Sequence, residues 1–166
     1  LGFFQKLYLI LKGKLTIFVL KLNSKKIICF YLNNFFHFDG KLINENNFYI
    51  KKINSQKIYY PNNRITRILI DQDKFLDHLF DSYLLNNIKF ANNDFVIDCG
   101  SNIGELFLSF KNKKTEINYC GIEPDKNAFY CLNKNTNNEN LNLCLSNKEG
   151  KAVSYTHLRA HETMSN

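Results

Sequence analysis

The spacing of hydrophobic positions changes character three times along the chain. Over residues 1–26, Phe3, Phe4, Leu7, Leu11, Leu15, Phe18, Val19 and Leu22 recur at three- to four-residue intervals among six lysines and no acid. This predicts a basic amphipathic helical segment over residues 1–24, interrupted at Gly13, with its apolar side packed on the rest of the protein. Residues 25–60 then read as β-structure. Ile27–Leu32 is a dense apolar run, and Phe35–Phe38 and Lys41–Ile43 flank Asp39-Gly40, a strong two-residue hairpin signal. Phe48–Ile53 and Lys57–Tyr60 flank Asn54-Ser55-Gln56, and Pro61-Asn62-Asn63 closes the series. Asp73–Leu84 reads as a helix with Phe75, Leu76, Leu79, Phe80, Tyr83 and Leu84 on one face, and with His78 beside that stripe as a surface or packing residue. Residues 25–90 therefore form a β-rich extension plus a helix.

After Asn92-Asn93-Asp94 the pattern alternates. Phe95–Asp98 reads as a short buried strand, and Ile103–Lys113 as a helix with Ile103, Leu106, Phe107 and Phe110 inward. Asn118–Ile122, Asp125–Thr136 and Leu141–Leu145 follow as strand, helix and strand. Strands alternating with helices of this length predict a βαβαβ unit. The fold class expected is α/β: an incomplete, Rossmann-like parallel sheet over residues 91–152, preceded by a β-hairpin-rich N-terminal extension.

Composition narrows the function classes. With 166 residues, 45% hydrophobic and 22% charged, the chain is long enough for one full domain and too apolar for wholesale disorder. The apolar runs Leu7–Leu11 and Leu15–Leu20 fall well short of the roughly 20 residues that cross a bilayer. Five cysteines without a C-x-x-C pair exclude a disulfide scaffold and a four-cysteine zinc ribbon. Mostly buried thiols in a reducing, cytoplasmic setting are expected. The net charge of +7 carries less weight than it first suggests. Phe, Ile, Asn, Lys and Tyr, the residues of A/T-rich codons, supply 84 of the 166 positions. Lys outnumbers Arg 19 to 3, whereas nucleic-acid surfaces favour the Arg fork. Residues 1–90 hold 14 basic and 6 acidic side chains, against 8 and 9 in residues 91–166, so no nucleic-acid partner is expected.

The two ends stand apart. The chain starts at Leu1, so a missing start is expected. From Val153 to Asn166 only Tyr155 and Asn166 belong to the five biased types. That stretch resembles a translated sequencing-adapter scar, and residues 153–166 are expected to be a non-native tail. His157 and His161, spaced H-x3-H, are accordingly not read as metal ligands, and no metal is implied.

The candidate chemistry lies in Val96-Ile97-Asp98-Cys99-Gly100-Ser101-Asn102-Ile103-Gly104-Glu105. A strand ends in a carboxylate, and a small-residue loop opens a helix, the place where open parallel sheets bind ligands. Gly100 leaves room for a ligand against the backbone, and Gly104 lets the first helical turn pack close to the strand. Asp98 would repel a pyrophosphate but suits a cationic or amine-bearing ligand. Gly100 and Gly104 give G-x-x-x-G rather than the dinucleotide G-x-G-x-x-G, and no Lys-Ser/Thr pair marks a P-loop. At the next strand end, Glu123 of Gly121-Ile122-Glu123-Pro124-Asp125 stands 19 residues after Gly104, where an acid accepts hydrogen bonds from ribose hydroxyls. Asp125 can cap the following helix. Together these residues point to a nucleoside with a positively charged or amino-acid end, a description S-adenosylmethionine fits. Another nucleotide remains the alternative.

Residues 97–105, then Glu123-Pro124-Asp125, Leu132, Asn135 and Glu149-Gly150, together resemble the FkbM-type methyltransferases. The resemblance covers residues 60–151 and is most specific around Asp98. It implies a class I, S-adenosylmethionine-dependent O-methyltransferase acting on a hydroxyl of a sugar, glycan or related metabolite. It implies that Asp98, Gly100, Asn102 and Gly104, with Ser101 in the same loop, surround the methionine end and sugar of the cofactor. Glu123 would bind the ribose diol, Pro124 and Asp125 would lie beside the adenine, and Ser146 and Asn147 would approach its edge. The commoner pattern has an acid near Asn147, whose amide oxygen can still accept from an adenine amino group. In this fold the groups that align the acceptor and remove its proton usually lie beyond Lys151, so the chain is expected to be a catalytically incomplete fragment. Two other readings compete: a peripheral membrane or glycan-binding module using residues 1–26 and the hairpins, and a nicotinamide-dependent oxidoreductase.

Overall fold

The computed structural model describes residues 2–62 and 65–146, arranged as two units, Leu1–Leu85 and Asn86–Asn166. The fold is mixed α/β, with a three-stranded antiparallel sheet in the first unit and a two-stranded parallel sheet in the second.

The first unit opens with α1 (Phe3–Leu20), which runs through Gly13 without a break. An exposed helical glycine costs only about 1 kcal/mol, too little to interrupt a helix of this length. The packing expected for α1 is confined to its C-terminal half. Val19 is its one buried residue, and Phe3 through Leu11 are exposed. Contact with the unit comes from the C-terminal half. The Thr16 Oγ1 lies 2.9 Å from the Tyr31 hydroxyl, and the Lys12 ammonium sits 4.4 Å from the centroid of the Phe36 ring.

Helix α2 (Lys25–Phe35) replaces the strand expected over Ile27–Leu32. Ser24 caps it, its hydroxyl accepting from the Ile27 N–H at 3.5 Å, and Ile28, Cys29, Tyr31 and Leu32 are buried at helical spacing. Asn33 then fastens α2 to β1 (Lys41–Glu45). Its amide donates to the Leu42 carbonyl at 2.7 Å, and its oxygen accepts the Leu42 N–H at 2.9 Å. The side chain completes the open edge of the sheet as a strand backbone would.

Strands β1, β2 (Phe48–Ile53) and β3 (Gln56–Tyr60) form a meander in that order. Both turns hold two residues, since Glu45 pairs with Phe48 and Ile53 with Gln56. Asn46 and Asn47 both have positive φ, the signature of a type I′ turn. The hairpin expected at Asp39-Gly40 is absent. Those residues join α2 to β1, and Gly40, at φ +83°, presses so close to β2 that a Cβ would lie 2.1 Å from the Lys52 carbonyl oxygen.

Asp39 instead anchors the interior. One oxygen accepts from the fully buried Lys51 ammonium at 2.5 Å, and the other accepts the Gln72 N–H at 2.9 Å. Lys51 also donates to the Ile70 carbonyl at 2.7 Å. This cluster ties the central strand to the segment between α3 (Ile65–Leu69) and α4 (Gln72–Ser82). In α4, capped by Asp71, Leu76 and Phe80 are buried and His78 is exposed. The helix stops before Tyr83 and Leu84, which are exposed rather than inward.

In the second unit, after a 3-10 turn at Leu85–Asn87, β4 (Asp94–Cys99) pairs in parallel with β5 (Ile117–Ile122), Asp98 opposite Gly121. Between them lies α5 (Glu105–Asn112), and α6 (Lys126–Thr136) follows β5. Strand β4 is not buried as expected: Phe95 is 67% and Ile97 58% exposed. Among the described residues only β5 pairs with it, and no described residue of the second unit covers that face. In α5 the buried residues are Glu105, Leu108, Ser109 and Phe110, while Leu106 and Phe107 are half-buried.

The third strand expected at Leu141–Leu145 is reduced to one parallel bridge between Leu141 and Ile122. Beyond it the ladder has no continuation among the described residues. The Asn142 side-chain amide takes up the Glu123 and Pro124 carbonyls at 2.7 and 3.2 Å, and Leu143 and Leu145 stay exposed. The thiols also differ from expectation: Cys29 and Cys131 are buried, Cys120 is half-buried, and Cys99 and Cys144 are exposed. Among the described residues, six of the eight non-glycine positions with positive φ are asparagines.

Candidate functional site

Three left-handed residues shape the loop after β4. Gly100 (φ +80°), Asn102 (φ +49°) and Gly104 (φ +84°) alternate with residues of negative φ, turning the chain from strand into helix within five residues. The turn is pinned to β5, because the Gly100 and Ser101 N–H groups both donate to the Ile122 carbonyl, at 2.8 and 3.1 Å. The Gly104 N–H closes the loop on the Ser101 carbonyl at 2.8 Å.

The two glycines of the loop do different work. A Cβ on Gly100 would meet no atom within 4 Å, so the backbone there faces open space. A Cβ on Gly104 would lie 2.6 Å from Thr136 Cγ2 and 3.0 Å from Leu132 Cδ1. Gly104 thus admits the close approach of α6 rather than the expected approach of the strand. Leu132 and Asn135 brace the loop from α6: Leu132 is fully buried, and the Asn135 amide donates to the Ile103 carbonyl at 2.9 Å.

Glu123 joins the two strand ends. Its carboxylate is buried, one oxygen accepting the Asn102 N–H and the other the Asp125 N–H, both at 2.9 Å. Asp125 caps α6, accepting from the Asn127 and Ala128 N–H groups at 3.0 and 2.8 Å. The structure therefore gathers Asp98, Gly100, Ser101, Asn102, Gly104, Glu123, Pro124 and Asp125 at the carboxyl ends of two adjacent parallel strands. Ser146 is exposed on the irregular chain after the Leu141 bridge, and Asn147 lies outside the described residues, as do Glu149, Gly150, His157, His161 and the rest of the 153–166 tail.

Asp98 is half-buried and accepts a 2.6 Å hydrogen bond from the Tyr119 hydroxyl. Burial pushes its carboxyl above the usual carboxylate range, against the hydrogen bond from Tyr119, which favours the charged form. The Tyr119 hydroxyl is itself pushed well above the usual phenol range, first by burial and then by the charge of Asp98. Tyr119 therefore stays a hydrogen-bond donor to Asp98 at any ordinary pH.

Tyr119 and Asn140 have no signal in the local sequence pattern, and Glu105, which ends the motif, takes a role only in the structure. The Glu105 carboxylate accepts from the Asn102 side-chain amide at 3.1 Å, so Asn102 contacts two carboxylates, one through its backbone. Asn140 accepts the Gly121 N–H at 2.9 Å, closing the free edge of β5. Gly121 is also crowded, since a Cβ there would lie 2.8 Å from Ser101 Oγ. Once Asp98 is known to lie opposite Gly121, the alternation of a strand puts Tyr119 on the same face, diagonal to Asp98. No known protein family matches the chain, and no curated protein matches it as a relative.

Proposed function

We propose that the second unit binds S-adenosylmethionine, as the cofactor-binding part of a Rossmann-like methyltransferase of the FkbM type acting on a hydroxyl of a sugar, glycan or related metabolite. The observation that carries this reading is the pairing of an open backbone at Gly100 with carboxylates on both strand ends, Asp98 and Glu123.

The residues fit such a ligand in three respects. The space above Gly100 admits a group that any side chain there would obstruct. Each Glu123 oxygen accepts one backbone amide and keeps lone-pair capacity for a ribose hydroxyl. Asp98 offers negative charge to a cation and is held in place by Tyr119. When bound, the cofactor supplies a methyl group on a positively charged sulfur. Asp98, Glu123 and the loop backbone hold and orient it, and in-line placement of the acceptor oxygen provides most of the rate.

The same geometry disfavours a dinucleotide. A pyrophosphate needs free loop amides at the helix N-terminus. Here the Asn102 N–H is committed to Glu123, and Glu105 opens the helix with a further negative charge. Calorimetry of the chain with S-adenosylhomocysteine and, separately, with NAD tests the proposal. S-adenosylhomocysteine should bind, Asp98→Ala should weaken it, and NAD should give no heat. Binding of NAD alone would move the protein to the oxidoreductases, and binding of neither would sink the reading.

A further inference from the structure

Helix α1 exposes an apolar surface that no described residue of the first unit covers. Phe3, Leu7, Ile10, Lys14, Phe18 and Lys21 succeed one another at three- and four-residue intervals, on the side turned away from Thr16 and Val19, which contact the unit. Leu7 is 41% and Phe18 62% exposed, and the N-terminal half of the helix is exposed all round. The charge on this surface has one sign. Residues 1–38 contain six lysines and no Asp or Glu, the first acid being Asp39.

We propose that α1 lies along an anionic lipid surface, its apolar side chains in the boundary between headgroups and acyl chains. Lysines on such a helix extend their stems over the apolar surface and place their ammonium groups among the lipid phosphates. Phe3, Phe4, Tyr8 and Phe18 are of the aromatic class that such boundaries accommodate. Charge complementarity selects this occupant over a second copy of the chain, in which α1 against α1 would set lysines against lysines with no acid to offset them. The helix lies on the surface and does not cross it: among the described residues no helix is long and apolar enough to span a membrane. The inference stands apart from the cofactor reading, because it concerns the first unit alone.

Co-sedimentation of the 166-residue chain with vesicles tests it. One set is phosphatidylcholine alone, and the other contains one third phosphatidylglycerol. The chain should pellet with the anionic vesicles, stay in solution with the neutral ones, and be released as salt rises from about 0.1 to about 0.5 M. Each lysine near such a surface is worth about a fivefold change in partition, so Lys6→Gln, Lys14→Gln and Lys21→Gln together should weaken binding on the order of a hundredfold. The double variant Leu7→Glu, Phe18→Glu should abolish it. Both residues are exposed, so the unit should keep its thermal unfolding profile. If that variant unfolds, the lysine triple variant decides alone. Equal binding to both vesicle types, or no binding to either, overturns the proposal. So does a dimer in sedimentation equilibrium that Phe18→Glu dissolves while the native chain ignores anionic vesicles.

Discussion

Replacing Gly104 with alanine adds a methyl group where Thr136 and Leu132 already stand, and the same replacement at Gly100 adds one in open space. Both positions have nearly the same φ, +84° and +80°, so the backbone cost of an L-residue is shared and is about 1–2 kcal/mol at each. The packing cost is not shared. At Gly104 the new carbon lies 2.6 Å from Thr136 Cγ2, and Thr136 cannot turn away cheaply: its hydroxyl donates to the Leu132 carbonyl at 2.9 Å and receives the Asn140 amide at 3.0 Å. Overpacking of this kind costs about 1–3 kcal/mol. Gly104→Ala should therefore lose about 2–5 kcal/mol, and Gly100→Ala only the backbone share. Urea unfolding followed by far-UV circular dichroism measures both, fitted with two transitions if the units separate. Calorimetry with S-adenosylhomocysteine should reverse the order for the folded variants, with Gly100→Ala the weaker binder because its methyl occupies the ligand's space. Equal losses of stability, or a Gly100→Ala variant that binds like the native chain, would refute the reasoning.

Three further outcomes are expected. Glu123→Gln retains one acceptor and turns an amide NH2 toward an N–H, so it should cost about 2 kcal/mol in urea unfolding, the range of a lost hydrogen bond to a charged group. A loss below about 0.5 kcal/mol would show that the carboxylate does not hold the loop. Asp39→Ala strips the buried Lys51 of its counter-ion and should cost about 3–5 kcal/mol, part of which Lys51→Met should restore in the double variant. No restoration would mean that Asp39 acts mainly through the Gln72 N–H. Because burial raises the Asp98 pKa in the folded state, its protonation favours folding. That contribution is complete below the unfolded value of about 3.9 and is lost as pH rises through the folded pKa. Affinity for a cationic ligand should rise over the same window. Tyr119→Phe removes the hydrogen bond that favours ionisation and should move the midpoint upward, so calorimetric affinity showing an unmoved or lowered midpoint would contradict this.

What could be read from the residues was mostly local. The segment from Asp98 to Glu105 announces its turn through glycine and asparagine, and Asp125 announces the start of α6, because caps and left-handed residues act over three or four positions. Ile27–Leu32 misled because a short run of β-branched and aromatic residues fits a strand and a buried helix equally, and Ser24 three residues earlier was the signal that separates them. Asp39-Gly40 carries hairpin chemistry but serves a buried ion pair with Lys51, twelve residues away, which no local pattern encodes. The partnership of Tyr119 with Asp98 depends on strand register, a property of pairing rather than of either strand. The exposure of α1 depends likewise on what its neighbours leave uncovered, and periodicity alone cannot report that.

The abundance of asparagine, which first reads as a by-product of base composition, has a consequence at the left-handed turns. Asn46, Asn47, Asn54, Asn93, Asn102 and Asn137 occupy conformations that most proteins give to glycine, and the chain has only seven glycines. Asparagine codons are A/T-rich and glycine codons G/C-rich, so mutational drift and backbone handedness pull toward the same residue at these sites. Exchange between asparagine and glycine is close to neutral for the fold at five of these sites; Asn102, whose amide bonds the Glu105 carboxylate, and Gly40, Gly104 and Gly121, crowded by their neighbours, lie outside that exchange. Over evolutionary time, those five turn positions are where the genome's base composition can rewrite this protein at least cost, and the three crowded glycines are where it meets resistance.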